Sequence, residues 1–268
     1  MIKRFPGAGR LFGPFGATLA GALSTVLVGL LVGFLLVMPH SSTAQGIEEL
    51  RDPTTTLAIN RGGQIYDKWW AVIEAEPPTT THPAYPKEGK QSGSATWRCK
   101  ECHGWDFKGL DGAYGRGSHF TGIVGVRGVV DIDPGRIEEI VRDSTHGYTE
   151  AMLPRSALSK LALFLSQGQV DMDVYIDRAT KKARGNSRRG AQFFQTICAV
   201  CHGFDGKNIN FHDADNPEYV GTVGVNNPWE ALHKIRNGQP GVGMVALGVL
   251  GIQDQVDILA YLQTLPTE

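Results

Sequence analysis

An all-α fold is what this sequence predicts: two tandem helical domains behind an N-terminal hydrophobic helix. Three observations carry that expectation. An uncharged apolar stretch runs from Leu11 to Met38 after a basic start. The pattern Cys-x-x-Cys-His-Gly occurs twice, beginning at Cys99 and at Cys198. Around each copy the same order of segments returns, with apolar residues at helical spacing. The 268 residues are 41% hydrophobic and 20% charged, which excludes disordered, collagen-like and coiled-coil classes. A formal net charge of −1 gives no electrostatic reason to expect nucleic acid.

That near-neutrality hides an asymmetry at the N-terminus. Residues 1–44 hold Lys3, Arg4 and Arg10 and no acid. The apolar stretch follows, then Pro39-His40 and the small residues Ser41-Ser42-Thr43-Ala44. A positive start, an apolar core and a small-x-small end describe an export signal, with Ser42-Thr43-Ala44 as its cleavage site. The core exceeds the roughly 7–15 residues of a signal peptide, and about 20 apolar residues span a bilayer. Residues 1–44 are therefore read as a signal peptide or a membrane anchor. Either way the positive flank stays in the cytoplasm and the remainder is exported. The expected compartment is the periplasm, with the chain free or anchored to the inner membrane.

The elements follow from the duplication. With Cys99 set against Cys198, Asp106 pairs with Asp205 and Lys108 with Lys207. The same offset aligns Gly122-Ile123-Val124-Gly125-Val126 with Gly221-Thr222-Val223-Gly224-Val225. A helix opening at proline comes next in each half, over 134–143 and 228–237, because proline is tolerated in a first helical turn. A methionine and a terminal helix follow, 157–166 with Phe164 and 252–263 with Tyr261. Lead helices match as well, through Arg61-Gly62-Gly63-Gln64-Ile65-Tyr66 and Arg189-Gly190-Ala191-Gln192-Phe193-Phe194. The predicted domains span 47–170 and 185–268, joined by a linker over 171–184. The halves differ in one place, about thirty residues inserted between Tyr66 and Cys99. That insert is proline-rich (Pro77, Pro78, Pro83, Pro86) and reads as an ordered loop over the first motif or as a surface decoration.

The chemistry sits in the four cysteines. Cys99-x-x-Cys102-His103 and Cys198-x-x-Cys201-His202 are attachment motifs for c-type haem. Two thiols one helical turn apart reach two vinyl groups of one porphyrin, and the adjacent histidine points at the iron. A dithiol redox site needs neither that histidine nor a second copy, and a zinc ribbon places its pairs closer together. No cysteine remains for a disulfide. The motifs thus assign two covalent haem groups, held by Cys99, Cys102, Cys198 and Cys201, with His103 and His202 as proximal iron ligands.

A lead helix with glycine and aromatic, then C-x-x-C-H, a late methionine and a final helix with an aromatic together resemble class I cytochrome c. The chain looks like two such domains in tandem, a dihaem cytochrome c, over nearly everything after residue 60. The resemblance implies that an early glycine lets the first and last helices cross closely. Gly190 with Tyr261 fits that role in one half, and Gly62 or Gly63 with Phe164 in the other. It also implies a distal methionine before the last helix, which Met152 and Met244 match, 49 and 42 residues past their histidines. Met152-Leu153-Pro154 approximates the family's Met-Pro pair, while Met244-Val245 departs from it. Met172, in the linker, reads as a core residue.

Other histidines compete. His146 and His119 could each bind the first haem in place of Met152, which would lower its potential relative to His/Met ligation, or could hydrogen-bond to backbone or a haem propionate. His82, His212 and His233 read as surface or loop residues. Trp105 reads as packing against the porphyrin or its propionates. A basic run, Lys181, Lys182, Arg184, Arg188 and Arg189, reads as a solvated linker or as a docking surface for an acidic partner.

Function follows from the resemblance. A dihaem cytochrome relays electrons between a donor, such as a dehydrogenase or quinol-oxidising complex, and an acceptor. The acceptor class is a terminal oxidase, a reductase or a small soluble cytochrome. Two alternatives stay open at this stage. One is an enzyme similar to thiosulfate dehydrogenases or bacterial peroxidases, with one catalytic haem. The other is a haem subunit of a larger membrane complex. No catalytic residue stands out in the sequence.

Overall fold

The computed structural model describes residues 52–268, so the predicted leader lies outside the described residues. Nine α-helices follow one another among them: α1 (Pro53–Val72), α2 (Cys99–His103), α3 (Pro134–Val141), α4 (Arg155–Leu163), α5 (Ser187–Phe193), α6 (Ala199–His202), α7 (Val220–Asn226), α8 (Pro228–Asn237) and α9 (Ile252–Leu262). No strand forms among these residues. Two isolated bridges, Gly109 to Val124 and Ile176 to Ala183, are the nearest approach. No described helix is long and apolar enough to cross a membrane.

Local sequence sets the helix starts. Asp52, Asp133 and Asn227 each precede a proline and accept a hydrogen bond from the backbone three residues on. The side chain satisfies an orphan N–H, and the proline lacks the one that would be left over. Both motif helices stop at a glycine with positive φ, Gly104 at 77° and Gly203 at 79°. That backbone is strained for any residue with a Cβ, so the glycine after each Cys-x-x-Cys-His ends the helix and turns the chain. Lys68 departs from helical geometry near the end of α1.

Each half is built on one close helix crossing. In the first, α1 crosses α4, and a Cβ on Gly62 would stand 2.0 Å from the Lys160 carbonyl oxygen and 2.6 Å from Phe164 Cβ. In the second, α5 crosses α9, and a Cβ on Gly190 would stand 1.8 Å from the Asp257 carbonyl oxygen. Aromatic pairs seal both crossings, Tyr66 with Phe164 at 5.7 Å and Phe194 with Tyr261 at 5.4 Å.

Gly63 does a different job from its neighbour. It faces α8 of the second half, where His233 Nε2 donates to the Gly63 carbonyl at 2.9 Å. Gln64 donates to the Asn237 carbonyl at 2.7 Å, and the buried Asp67 carboxylate pairs with both Arg98 and Lys234. The halves therefore meet along α1 and α8 within one compact unit. His233 is 1% exposed, against the expectation of a surface position, because α8 buries one face on α9 and another on α1. Trp105 lies at the same junction, with Lys234, Lys100 and Arg98 within 5.1 to 5.9 Å of its ring. Of these cations only Lys234 reaches the indole from the second half.

The linker is tied down at both ends. Lys108 pairs with Asp171 and Asp173, and Arg178 with Asp173. In the basic run, Lys181 donates to the Asn226 carbonyl, Arg184 faces Asp177, and Arg189 pairs with Asp254. Three of its five cations thus have partners inside the chain. Met172 is fully buried in the core.

Candidate functional site

In the first half, α2 delivers Cys99, Cys102 and His103 to a single cavity with about 830 Å³ of space between atoms, part of it open to solvent. Its walls are largely apolar and include Ile123, Val126, Ile137, Val141, Leu161 and Leu165. The insert supplies His82, Ala84, Thr96 and Arg98, so it is ordered and laid over this motif. Trp97 Nε1 donates to the Thr80 carbonyl, and the His82 backbone N–H donates to Thr96 Oγ1, closing the insert on itself. His82 lies in a loop, one of the two expected placements, but is buried rather than at the surface.

His103 is oriented from behind. Its Nδ1 lies 2.7 Å from the Val124 carbonyl oxygen, an acceptor, so this nitrogen carries the proton and Nε2 keeps its lone pair. An outer acceptor on the far nitrogen is the usual way a protein fixes the tautomer and aim of a metal-ligating histidine. Burial pushes the imidazole of His103 below its ordinary value, and the same holds for His202. Neutral imidazole is the form a metal needs. Burial also pushes the Cys99 and Cys102 thiols up to about 12 and the Cys198 thiol up to about 11. Dithiol redox sites require the opposite, a depressed thiol.

Two thiols and a backed histidine in one apolar cavity fit a covalently held haem. They do not resemble a site for a bare ion: no group of three or more His, Cys, Asp or Glu side chains with that capacity occurs among the described residues.

The second motif is placed similarly but more openly. A continuous helical path runs from α5 through Phe194–Cys198 into α6, bringing Cys198, Cys201 and His202 to the surface of the half. His202 Nδ1 is buried with no hydrogen-bond partner, and Phe211 sits edge-on to its ring at 6.1 Å. Elsewhere in this half Phe204, Phe211, Val225, Val242 and Val245 expose apolar side chains. Met244 is half-buried in the loop between α8 and α9.

The remaining candidate ligands lie in different surroundings. Met152 is half-buried, packs against the hydrophobic core, and is not among the described residues that line the first cavity. His146 does line it. His119 stacks on Tyr114 at 4.6 Å and its Nδ1 lies 2.7 Å from the buried Glu101 carboxylate, in a separate cleft with Arg178 and Trp229. Burial alone would raise the Glu101 carboxyl, but His119 and Lys100 outweigh it and hold it below the ordinary range. His212 is exposed.

Residues 185–262 match the family model described as cytochrome c oxidase, cbb3-type, subunit III. No curated protein matches the chain. The match makes this segment a c-type cytochrome domain, a haem-based electron-transfer module. It implies covalently bound haem c in this domain, and redox partners in general.

Proposed function

We propose that the chain is an exported dihaem c-type cytochrome that relays electrons between redox partners of a respiratory chain. The observation that carries this reading is the gathering of Cys99, Cys102 and His103 in one apolar cavity. The arrangement repeats, around the same glycine-mediated helix crossing, the motif of the segment that matches a cytochrome c domain. Cys99 and Cys102 hold the first haem, Cys198 and Cys201 the second, with His103 and His202 as proximal ligands and Met244 as distal ligand of the second. Haem supplies a one-electron ferrous/ferric couple. The chain's own residues do the rest. The thiols fix the group's position, the Val124 carbonyl orients His103, and the apolar walls keep water from the iron's surroundings.

The donor in this reading is a dehydrogenase or quinol-oxidising complex, and the acceptor a terminal oxidase, reductase or small cytochrome. The place is the periplasm, with residues 1–44 as leader or inner-membrane anchor. The matched family, described as a subunit of an oxidase, supports a second reading. In it the chain is a haem subunit docked to a membrane partner, and co-migration with an oxidase in a native gel of solubilised membranes distinguishes it.

The test is intact mass and in-gel haem staining after expression in a host that matures c-type cytochromes. Two haem increments are expected, with Cys99→Ser/Cys102→Ser and Cys198→Ser/Cys201→Ser each removing one. A single increment that survives the first double substitution would confine the cytochrome to the C-terminal half and overturn the dihaem reading.

A further inference from the structure

We propose that His146, and not Met152, is the sixth ligand of the first haem, which makes that centre bis-histidine; the proposal rests on the dihaem reading above. Four observations carry it. First, His103 and His146 both line the cavity, with ring centroids 6.3 Å apart and planes inclined by 33°. Two imidazoles that each reach one metal ion through Nε2 at about 2 Å place their ring centres about 6 Å apart.

Second, both rings are backed in the same way. His146 Nδ1 lies 3.1 Å from the Asp143 carboxylate, as His103 Nδ1 lies against the Val124 carbonyl. Each acceptor places the proton on Nδ1 and leaves the Nε2 lone pair for a metal.

Third, the backbone of His146 is braced from two sides. Its N–H donates to Asp143 Oδ1 at 2.9 Å. Its carbonyl accepts from His82 Nε2 at 2.9 Å, and His82 Nδ1 in turn accepts from the Ala84 N–H. The insert that the second half lacks thus ends its reach on the backbone of His146. Fourth, Met152 packs against the hydrophobic core and lies outside the cavity wall.

The consequence is an asymmetric relay. Histidine in place of a thioether lowers the potential of the first haem, while Met244 keeps the second higher. Electrons then enter at the N-terminal half and leave from the segment that matches the oxidase-subunit family.

The test is the near-infrared spectrum of the oxidised two-haem protein, in which a methionine-to-iron charge-transfer band reports each thioether ligand. One equivalent of that band per two haems is expected. Met244→Ala should abolish it, and Met152→Leu should leave both the band and the two-step redox titration unchanged. His146→Ala should open the first iron to carbon monoxide after reduction, which the wild-type protein should not bind. Should His146→Ala not fold, the wild-type band and the Met152→Leu titration still decide. Two equivalents, with one lost in Met152→Leu, overturn the proposal, as does carbon monoxide binding by the wild type. Loss of the first haem itself is read separately, from the mass of the protein, and would instead sink the dihaem reading.

Discussion

Gly190 lies directly under the Asp257 carbonyl: the position a Cβ would take is 1.8 Å from that oxygen. The contact is backbone, so no side chain can rotate away to relieve it. Gly190→Ala must therefore push α5 and α9 apart, and overpacking of this kind costs about 1–3 kcal/mol. Gly62→Ala should behave alike against the Lys160 carbonyl. Thermal unfolding followed by circular dichroism should show both variants melting below wild type. An increase in stability, the usual result of Gly→Ala in an unconstrained helix, would mean that the crossings are looser than described.

His233 predicts a pH dependence at the junction of the halves. It is enclosed by Tyr66, Trp105, Phe107 and Phe164, with Asp67, Lys234 and Arg236 nearby, and burial pushes it down to about 4 from an ordinary value of 6.5. The folded value is below the unfolded one, so between about pH 6.5 and 4 the unfolded chain binds more protons. Stability falls as pH drops through that window, by about 3 kcal/mol for this one group. In His233→Gln the acid limb should be flatter than wild type by that amount, although the variant starts lower at pH 7. Parallel denaturation profiles across pH 4–7 would show that His233 does not titrate against folding.

Much of this was legible in the chain. The motif spacing located both sets of thiols and histidines, and aligning the halves located the glycines of both crossings. What the sequence could not separate was Gly62 from Gly63, because adjacent helix positions point to different neighbours and the neighbours are remote in sequence. Burial of His233 was hidden for a related reason. A one-faced helical pattern assigns polar positions to solvent, but α8 is covered on two sides. The i, i+4 spacing of His233 and Asn237 was the available signal, opposite Gly63. His146 and Met152 share one loop, so sequence position alone could not rank them; His146 lines the cavity and Met152 does not.

Asp67 should be the most costly single charge to remove. Its carboxylate is 1% exposed between Arg98, which precedes the first motif, and Lys234 of α8. Burial alone would raise it, but Lys234 and Arg98 prevail and hold it at about 2. Breaking a buried pair from one side leaves uncompensated charge and costs about 3–5 kcal/mol. Asp67→Asn should lose that much in urea unfolding at pH 7. The folded value lies below the unfolded one, so the gap to wild type should narrow as pH falls from about 4 toward 2. A loss under about 1 kcal/mol would show that the two cations have other means of neutralisation.

Arg142 separates the two candidates for the first iron by a different route. Its guanidinium donates to the carbonyls of Tyr148 and Leu153 and pairs with Glu150 at 2.7 Å, so it straps down the loop that carries Met152. His146 is held independently, by Asp143 and His82. A lysine cannot reproduce a planar fork that serves three acceptors at once. Arg142→Lys should cost about 1.5–3 kcal/mol, the range for hydrogen bonds to a charged group, and should speed amide exchange over residues 148–153. With His146 on the iron, the visible spectrum and lower redox step of the protein should nevertheless stay at their wild-type values. A new high-spin component in Arg142→Lys, appearing with the loosened loop, would place the ligand in the segment that Arg142 restrains and return the assignment to Met152.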